Sequence, residues 1–299
     1  MRIDKPGDRG FGLAIGTLAT LLAGTTGAAT AGVGGAVAGG LAGVAFGGLL
    51  VARRERRRAR RRRVSAEPFP EAWRQWLLAN CDHYDRLPDA LKQRFEDDLR
   101  IFLVDARITG VGLDVTDEMR LLVATSAVTV SLGWPDYDWE QLTEVLLYPD
   151  DFDRDYGFER AELAGQAHPW GTLILSVPAL FESIEDPDEP FHVGIHEFAH
   201  LIDMDSTHFD GIPTGLDGKG SRQWVELVER EMERLRRGKS ALDSYGAEDP
   251  VEFLAVAVEA FFKTPIEVRR RHRELYAALA RYFEQDPAEW DDDRGLVLK

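Results

Sequence analysis

The feature that most constrains the fold is a run of 42 residues without a charged side chain, from Phe11 to Ala52, of which twelve are glycine. A secretory signal peptide has a shorter apolar core and is not followed by a dense arginine run. One straight helix of this length would be about 63 Å long, roughly twice the hydrocarbon thickness of a bilayer. The run predicts a retained membrane anchor, a helical hairpin over residues 11–52 with a turn near 24–34. A single span over 33–52 is the alternative.

Small residues recur at every fourth position of this segment, a spacing that lets helices approach closely in lipid. They are Ala19, Ala23, Gly27, Ala31, Gly35, Gly39, Gly43 and Gly47. The stripe predicts packing within the hairpin or oligomerisation. A flexible Gly/Ala tract that never inserts is the competing interpretation.

Nine arginines lie between Arg53 and Arg63, directly after the apolar run. Such a cluster holds its flank on the cytoplasmic side of a membrane and attracts anionic lipid headgroups. The remainder of the chain is therefore predicted to face the cytosol. A basic arm for nucleic acid is a weaker interpretation, because the cluster adjoins an uncharged segment.

Charge and cysteine content narrow the function of the remainder, residues 64–299. Residues 1–63 have a formal balance of +9 within a total of −16, which leaves −25 for the remainder. A body this acidic repels phosphate backbones, so no nucleic-acid partner is expected. The single cysteine, Cys81, excludes an intrachain disulfide and favours a reducing compartment.

Apolar periodicity predicts helices over 71–81, 89–106 and 117–132, with Pro88 and Thr116 at two of the helix starts. Short runs rich in Val, Ile and Leu predict strands over 144–148 and 171–177, and loops are predicted over 149–157 and 205–221. Further helices are predicted from Pro190, in the first turn after Asp188 or Glu189, to Asp203, and over 223–237, 250–263 and 265–283. Helices around a small sheet indicate an α+β domain preceded by the anchor.

The run His196-Glu197-Phe198-Ala199-His200 contains two histidines at i and i+4. On a helix both imidazoles point from one face towards a common point, as two ligands of one metal ion do. Neutral imidazole suits Zn²⁺, and Glu197 would lie beside a bound water as a proton acceptor. Two histidines at the edge of the core are the alternative. His192 lies one turn upstream and is read as a neighbour of the site.

A third ligand must come from elsewhere in the chain, and Glu252 is the best candidate. Glu252 and Glu259 are the acids of an otherwise apolar helix, and their spacing places them on one face. A carboxylate in apolar surroundings needs a strong partner to remain ionised. Asp249 with Glu252 also reads as a capping pair, and spacing alone leaves these two interpretations even. Asp203 and Glu259 are candidates for supporting the ligands, with Asp203 a candidate acceptor for an imidazole N–H of a ligand histidine. Tyr245 is, by spacing alone, a tyrosine near a turn.

Several separated motifs between Phe69 and Pro287 resemble the Mlc titration factor A family of zinc peptidases. The matching segments are 196–204, 210–213, 244–247, 250–253, 144–149, 170–171, Ser176 and 285–287. The resemblance implies one Zn²⁺ per chain held by His196, His200 and Glu252, with Glu197 as general base. It also implies that Tyr245 donates a hydrogen bond to the transition state.

The same resemblance implies a zincin-like, gluzincin-type fold in which an edge strand, expected at 171–177, aligns an extended peptide. It implies aminopeptidase-like activity on peptides or proteins, with Glu259 one candidate for holding a substrate N-terminus. It also implies a bacterial protein and binding of a transcriptional repressor. We therefore expect a zinc peptidase of the HExxH…E type on the cytoplasmic face of the inner membrane, with a cytoplasmic location as the alternative. A membrane-tethered binding protein that sequesters a regulator is the alternative function.

Overall fold

A computed structural model of the protein describes residues 8–135, 137–152, 163–186, 189–204 and 209–290. The chain divides into two units, Met1–Pro68 and Phe69–Lys299. Parts of the predicted loops at 149–157 and 205–221 lie outside the described residues. We refer to the two units as the N-terminal unit and the body.

In the N-terminal unit the described residues form one helix, α1, Asp8–Ala66. From Phe11 to Ala52 its residues are small or apolar, and many of the described side chains are exposed, as in Val33 at 83% exposure. Among the described residues one helical stretch, Gly32–Ala66, is long and apolar enough to cross a membrane, with a hydropathy of 1.9. Gly32 has φ of 60°, which interrupts right-handed helical geometry inside the range where a turn is predicted. The hairpin itself stays a prediction.

The body is mainly helical with a small sheet. Its helices are α2 Glu71–Asn80, α3 Asp82–Arg86, α4 Asp89–Asp105, α5 Asp117–Ser131, α6 Val177–Glu185, α7 Val193–Asp203, α8 Gly218–Arg236, α9 Pro250–Lys263, α10 Pro265–Arg271 and α11 Arg273–Phe283, with a 3-10 helix at Ser244–Ala247. Its strands are β1 Ile108–Gly110, β2 Glu144–Tyr148, β3 Gly165–Ala167 and β4 Thr172–Ser176. The predicted mixture of helices and a small sheet is confirmed.

The four strands form one sheet in the order β1-β2-β4-β3. β2 is parallel to β1 and β4, whereas β3 is antiparallel to β4. Val145 and Leu147 of β2 alternate with more exposed neighbours, so one face of this strand is buried. The prediction of an edge strand at 171–177 was wrong, because β4 lies between β2 and β3 and the edge strand is β3.

Local signals explain most helix boundaries. The Thr116 hydroxyl accepts from the backbone N–H of Met119 at the start of α5, and Pro88 immediately precedes α4, as predicted. Two predictions were wrong. Pro190 is not in the first turn of α7, which begins at Val193, and the predicted helix over 265–283 is broken at His272 (φ −130°, ψ 55°).

Three helices, α5, α7 and α9, form the centre of the body. Residues 121–131 of α5 and 253–262 of α9 are buried without interruption, because these helices are covered on all sides. α7 packs against both. A Cβ at Gly194 of α7 would lie 2.2 Å from Oγ of Ser126 in α5, so glycine permits this close approach. The helix that carries the histidine motif, α7, therefore lies between two buried helices, α5 and α9.

Candidate metal centre

The motif histidines lie on one face of α7, as their spacing predicts. The ring centroids of His196 and His200 are 4.8 Å apart, and both rings are largely buried. His192 is the residue before the helix, and its Nδ1 accepts from the backbone N–H of Ile195. His192 is therefore occupied in capping α7.

Glu252, in the first turn of α9, brings a carboxylate to this pair. Its Oε2 lies 3.1 Å from Nε2 of His196 and 3.8 Å from Nε2 of His200. Asp249 caps the same helix by accepting from the N–H groups of Val251 and Glu252. Both interpretations of the Asp249 and Glu252 pair thus hold together, since the cap uses the Asp249 side chain and leaves the Glu252 carboxylate for the histidines.

Glu259 holds the other side of the His196 ring. Nδ1 of His196 donates to Oε1 of Glu259 at 2.7 Å, and the N–H of His192 donates to Oε2 at 2.6 Å. Both oxygens of this buried carboxylate are therefore engaged. Glu259 thus supports a ligand histidine, as predicted, and its carboxylate orients the imidazole and leaves neither oxygen free for a substrate N-terminus.

The arrangement of these atoms requires a positive charge. With Nδ1 donating to Glu259, the Nε2 lone pair of His196 faces a Glu252 oxygen, and two acceptors at 3.1 Å repel unless a proton or a cation lies between them. Burial lowers the pKa of His196, but the Glu259 and Glu252 carboxylates raise it well above its usual value overall. Two imidazole nitrogens and a carboxylate oxygen around one point therefore fit a bound metal ion.

His200 presents the form of imidazole that binds metals. Burial, and then the charge of His196, lower the pKa of His200 to about 3, so its ring is neutral. The charge of Glu252 opposes this shift. Within the described part of the chain, Nδ1 of His200 has no hydrogen-bond partner.

Glu197 lies beside the histidines and under the edge strand. His196, Glu197 and His200 each place one possible ligand atom within 4.8 Å of the others. A Cβ at Gly165 of β3 would lie 2.5 Å from Oε1 of Glu197, and the backbone N–H of Ala167 interacts with this carboxylate. Glu197 is therefore held against β3, whereas Glu252 contacts both Nε2 atoms, so Glu252 is the better third ligand.

The second oxygen of Glu197, Oε2, is buried without a partner among the described residues. Burial raises the pKa of Glu197 to about 8, against the opposing charge of His196. An unpaired carboxylate oxygen with a raised pKa is suited to exchange a proton with a water molecule.

Tyr245 lies in the 3-10 helix and is brought to the same site. Its ring centroid is 6.0 Å from that of His196, and its side chain remains 43% exposed. Burial, followed by the charges of Glu252 and Glu248, raises the pKa of Tyr245 to about 12, so the phenol keeps its proton. It is therefore a hydrogen-bond donor that is open to solvent beside His196.

Asp203 has a different role from the predicted one. Its carboxylate accepts from the backbone N–H groups of Asp210, Gly211 and Ile212, at 3.2, 2.9 and 3.1 Å. In the residues described it makes no bond to an imidazole. Asp203 fixes the loop after α7 instead of orienting a ligand histidine.

Sequence reasoning missed two parts of the site. The strand β3 has only three residues, Gly-Gln-Ala, and carries none of the β-branched or aromatic residues that mark strands. Gly165 therefore could not be recognised from the sequence as part of the site, although the absence of a side chain there makes room for Glu197. Both parts depend on tertiary packing.

A helix with two histidines and a glutamate, an edge strand beside that glutamate and a second helix that adds a carboxylate define a metallopeptidase domain. The sequence profile of the glucose-regulated metallo-peptidase M90 family matches residues 54–284. The chain belongs to this family.

Three relatives match between 67% and 77% of this chain. A protein named Mlc titration factor A from Edwardsiella ictaluri is 28% identical over 77% of this chain and 92% of its own length. One of the same name from Salmonella arizonae is 27% identical over 67% of this chain and 83% of its own. An uncharacterized protein of Synechocystis sp. is 27% identical over 76% of this chain and 89% of its own. The resemblance to the Mlc titration factor A family is confirmed.

Proposed function

We propose that the body is a zinc-dependent peptidase, in which His196, His200 and Glu252 hold one Zn²⁺. The observation that carries this proposal is the meeting of Nε2 of both histidines with Oε2 of Glu252, at 3.1 and 3.8 Å, next to an unpaired oxygen of Glu197. Two histidines and a glutamate are a known ligand set of catalytic zinc. When bound, the metal would polarise a carbonyl and lower the pKa of a water molecule.

The chain's own residues supply the proton transfers and the orientation. Glu197 accepts a proton from the attacking water and delivers it to the leaving amine. The Tyr245 phenol donates a hydrogen bond to the oxygen that gains negative charge. The edge of β3 that has no neighbouring strand among the described residues offers backbone groups to an extended peptide, next to Glu197.

Family resemblance supports an aminopeptidase-like action. The geometry limits which residues could hold the amino group of the substrate. Because Glu259 is buried and bound on both oxygens, a substrate amino group would need another acidic partner. The exposed Glu248, whose charge helps to raise the pKa of Tyr245, is one candidate for this partner.

The test is Glu197→Gln, with Glu229→Gln as a matched control that removes an exposed acid of α8 outside the site. Glu197→Gln is expected to retain stoichiometric zinc and to lose about 10²- to 10⁴-fold in peptide turnover, the usual contribution of a general base. Zinc content is measured by elemental analysis and turnover on a peptide library. Unchanged turnover in Glu197→Gln would refute the mechanism, and equal losses in both variants would indicate a general charge effect.

We also propose that the protein lies at the inner membrane with the body in the cytoplasm. The support is the apolar stretch of α1 and the nine arginines that follow it, which suit the cytoplasmic leaflet and its anionic headgroups. Oligomerisation through the stripe of small residues remains part of this proposal.

A second candidate function is the capture of a transcriptional regulator, favoured by the name Mlc titration factor A that several relatives carry. In that case zinc would serve structure, and binding would not require hydrolysis. Equal capture of purified Mlc-type repressor by wild type and by Glu197→Gln, without cleavage, would support it. Failure of both to bind would exclude it.

A further inference from the structure

The distance between Glu252 and the two histidines depends on how α9 is placed against α7. One contact that sets this placement lies inside the site, where Glu259 of α9 accepts from both His192 and His196. A second contact lies at the opposite end of α7 and involves none of the ligand side chains. It runs from Asp203 through the loop at 209–214 to the start of α9.

The first half of this second contact ties the loop to α7. Asp203 is fully buried, and its carboxylate accepts three consecutive backbone N–H groups of the loop. Thr214 adds a bond, because its backbone N–H donates to the carbonyl of Ile202 at 3.1 Å. These four hydrogen bonds hold the loop against the end of α7.

The second half presses the loop against α9. Gly211 has φ of 75°, and a Cβ there would lie 2.5 Å from both the carbonyl carbon and the oxygen of Pro250. The carbonyl of Gly211 accepts from Nε1 of Trp224 at 2.7 Å, which holds the glycine in place from α8. Pro250 is the first residue of α9, and Glu252 follows two residues later.

We propose that Asp203 and Gly211 are positioning residues for the metal centre, because together they set where the first turn of α9, and hence the Glu252 carboxylate, lies relative to His196 and His200. The inference rests on the proposed zinc site. A side chain at position 211 has backbone atoms in its way and cannot be accommodated by a rotamer change, so it displaces Pro250. Glu252 then moves away from the two Nε2 atoms.

The same loop contains a matched control. Gly215 also has a positive φ, 91°, but a Cβ there would meet no atom within 4 Å. Gly215→Ala therefore introduces the same kind of backbone strain without a contact to α9. Comparing Gly211→Ala with Gly215→Ala separates the position of Glu252 from general destabilisation of the loop.

The experiment measures zinc affinity of the full chain by competition with a chromophoric chelator, together with the unfolding temperature of the metal-free protein. Gly211→Ala is expected to weaken zinc binding by about 10- to 100-fold, the range seen when groups that support metal ligands are changed. Gly215→Ala is expected to lower the unfolding temperature while leaving zinc affinity at the wild-type value. Asp203→Asn, which keeps the side-chain shape but replaces one accepting oxygen with an N–H donor, serves if Gly211→Ala does not fold, and it too should weaken zinc binding.

Equal zinc affinity in Gly211→Ala, Asp203→Asn and wild type would overturn the positioning role and leave the zinc site intact. An equal loss of affinity in Gly211→Ala and Gly215→Ala would also overturn it, because loop strain would then explain the loss. No zinc binding by wild type would overturn the proposed function and this inference together. Weakened binding in Gly211→Ala alone would support the role.

Discussion

The two units of the molecule treat apolar side chains in opposite ways. In the N-terminal unit Val33 and Leu41 are 83% and 67% exposed, whereas in the body Phe198 and Phe253 are fully buried. Charge follows the same contrast, with +9 over residues 1–63 and −25 over the remainder. All seven histidines and all seven tryptophans lie in the body.

Under the proposed membrane location, the two units have different surroundings. Burial of apolar surface in water stabilises the body, which encloses its large side chains and leaves acidic groups outside. Exposing apolar side chains to water along its length does not stabilise a helix. Such a helix fits a lipid environment, where its backbone groups are hydrogen-bonded within the helix. We therefore expect location to depend on the N-terminal unit, and stability and chemistry to depend on the body.

The largest effect is expected from removing the N-terminal unit. Deletion of residues 1–68 should move the protein completely from the washed membrane fraction to the soluble fraction, because the apolar stretch and the arginines are lost together. Zinc stoichiometry should be unchanged. Fractionation of cells that express either form measures how the protein is distributed between the membrane and soluble fractions. Recovery of the full-length protein in the soluble fraction would contradict the contrast between the two units.

The next largest effect is expected on the free energy of unfolding when a buried phenylalanine, compared with an exposed one, is replaced by alanine. Phe283 is fully buried and stacks on Trp134 and Phe261, so Phe283→Ala should lower the free energy of unfolding by about 3–5 kcal/mol. Phe46, 51% exposed in the N-terminal unit, is the matched control, and Phe46→Ala should leave unfolding of the body unchanged. Tryptophan fluorescence during denaturant unfolding reports on the body alone. A comparable loss in both variants would show that the N-terminal unit supports the body's stability.

The smallest effect concerns pH. His83 is buried, and burial lowers its pKa to about 3, so the folded body keeps it neutral while the unfolded chain protonates it below about 6.5. The unfolded state then binds more protons, and His83 should reduce stability by about 1.4 kcal/mol for each pH unit below 6.5. His83→Leu should flatten the dependence of unfolding free energy on pH by this amount, in the full chain and in 69–299 alike. Identical slopes in His83→Leu and wild type would contradict the buried neutral histidine.

Local elements of the fold were predictable because their causes are local. The bounds of β2 and α9 match the predicted ones, since alternation and apolar periodicity are properties of neighbouring residues. The start of α7 was not predictable from Pro190. A histidine cap forms there because His192 is also held by Glu259, which is 67 residues away in the chain.

The same division runs through the candidate site. The sequence alone determined that His196 and His200 share a face with Glu197 beside them, because residues within one helical turn have their relative directions set by helix geometry. Only the tertiary structure decided that Glu252 meets both imidazoles, that Glu259 orients His196 and that Asp203 binds a loop. Those contacts join residues far apart in the chain, such as the 56 positions between His196 and Glu252, and the packing of α7 against α9 brings them together.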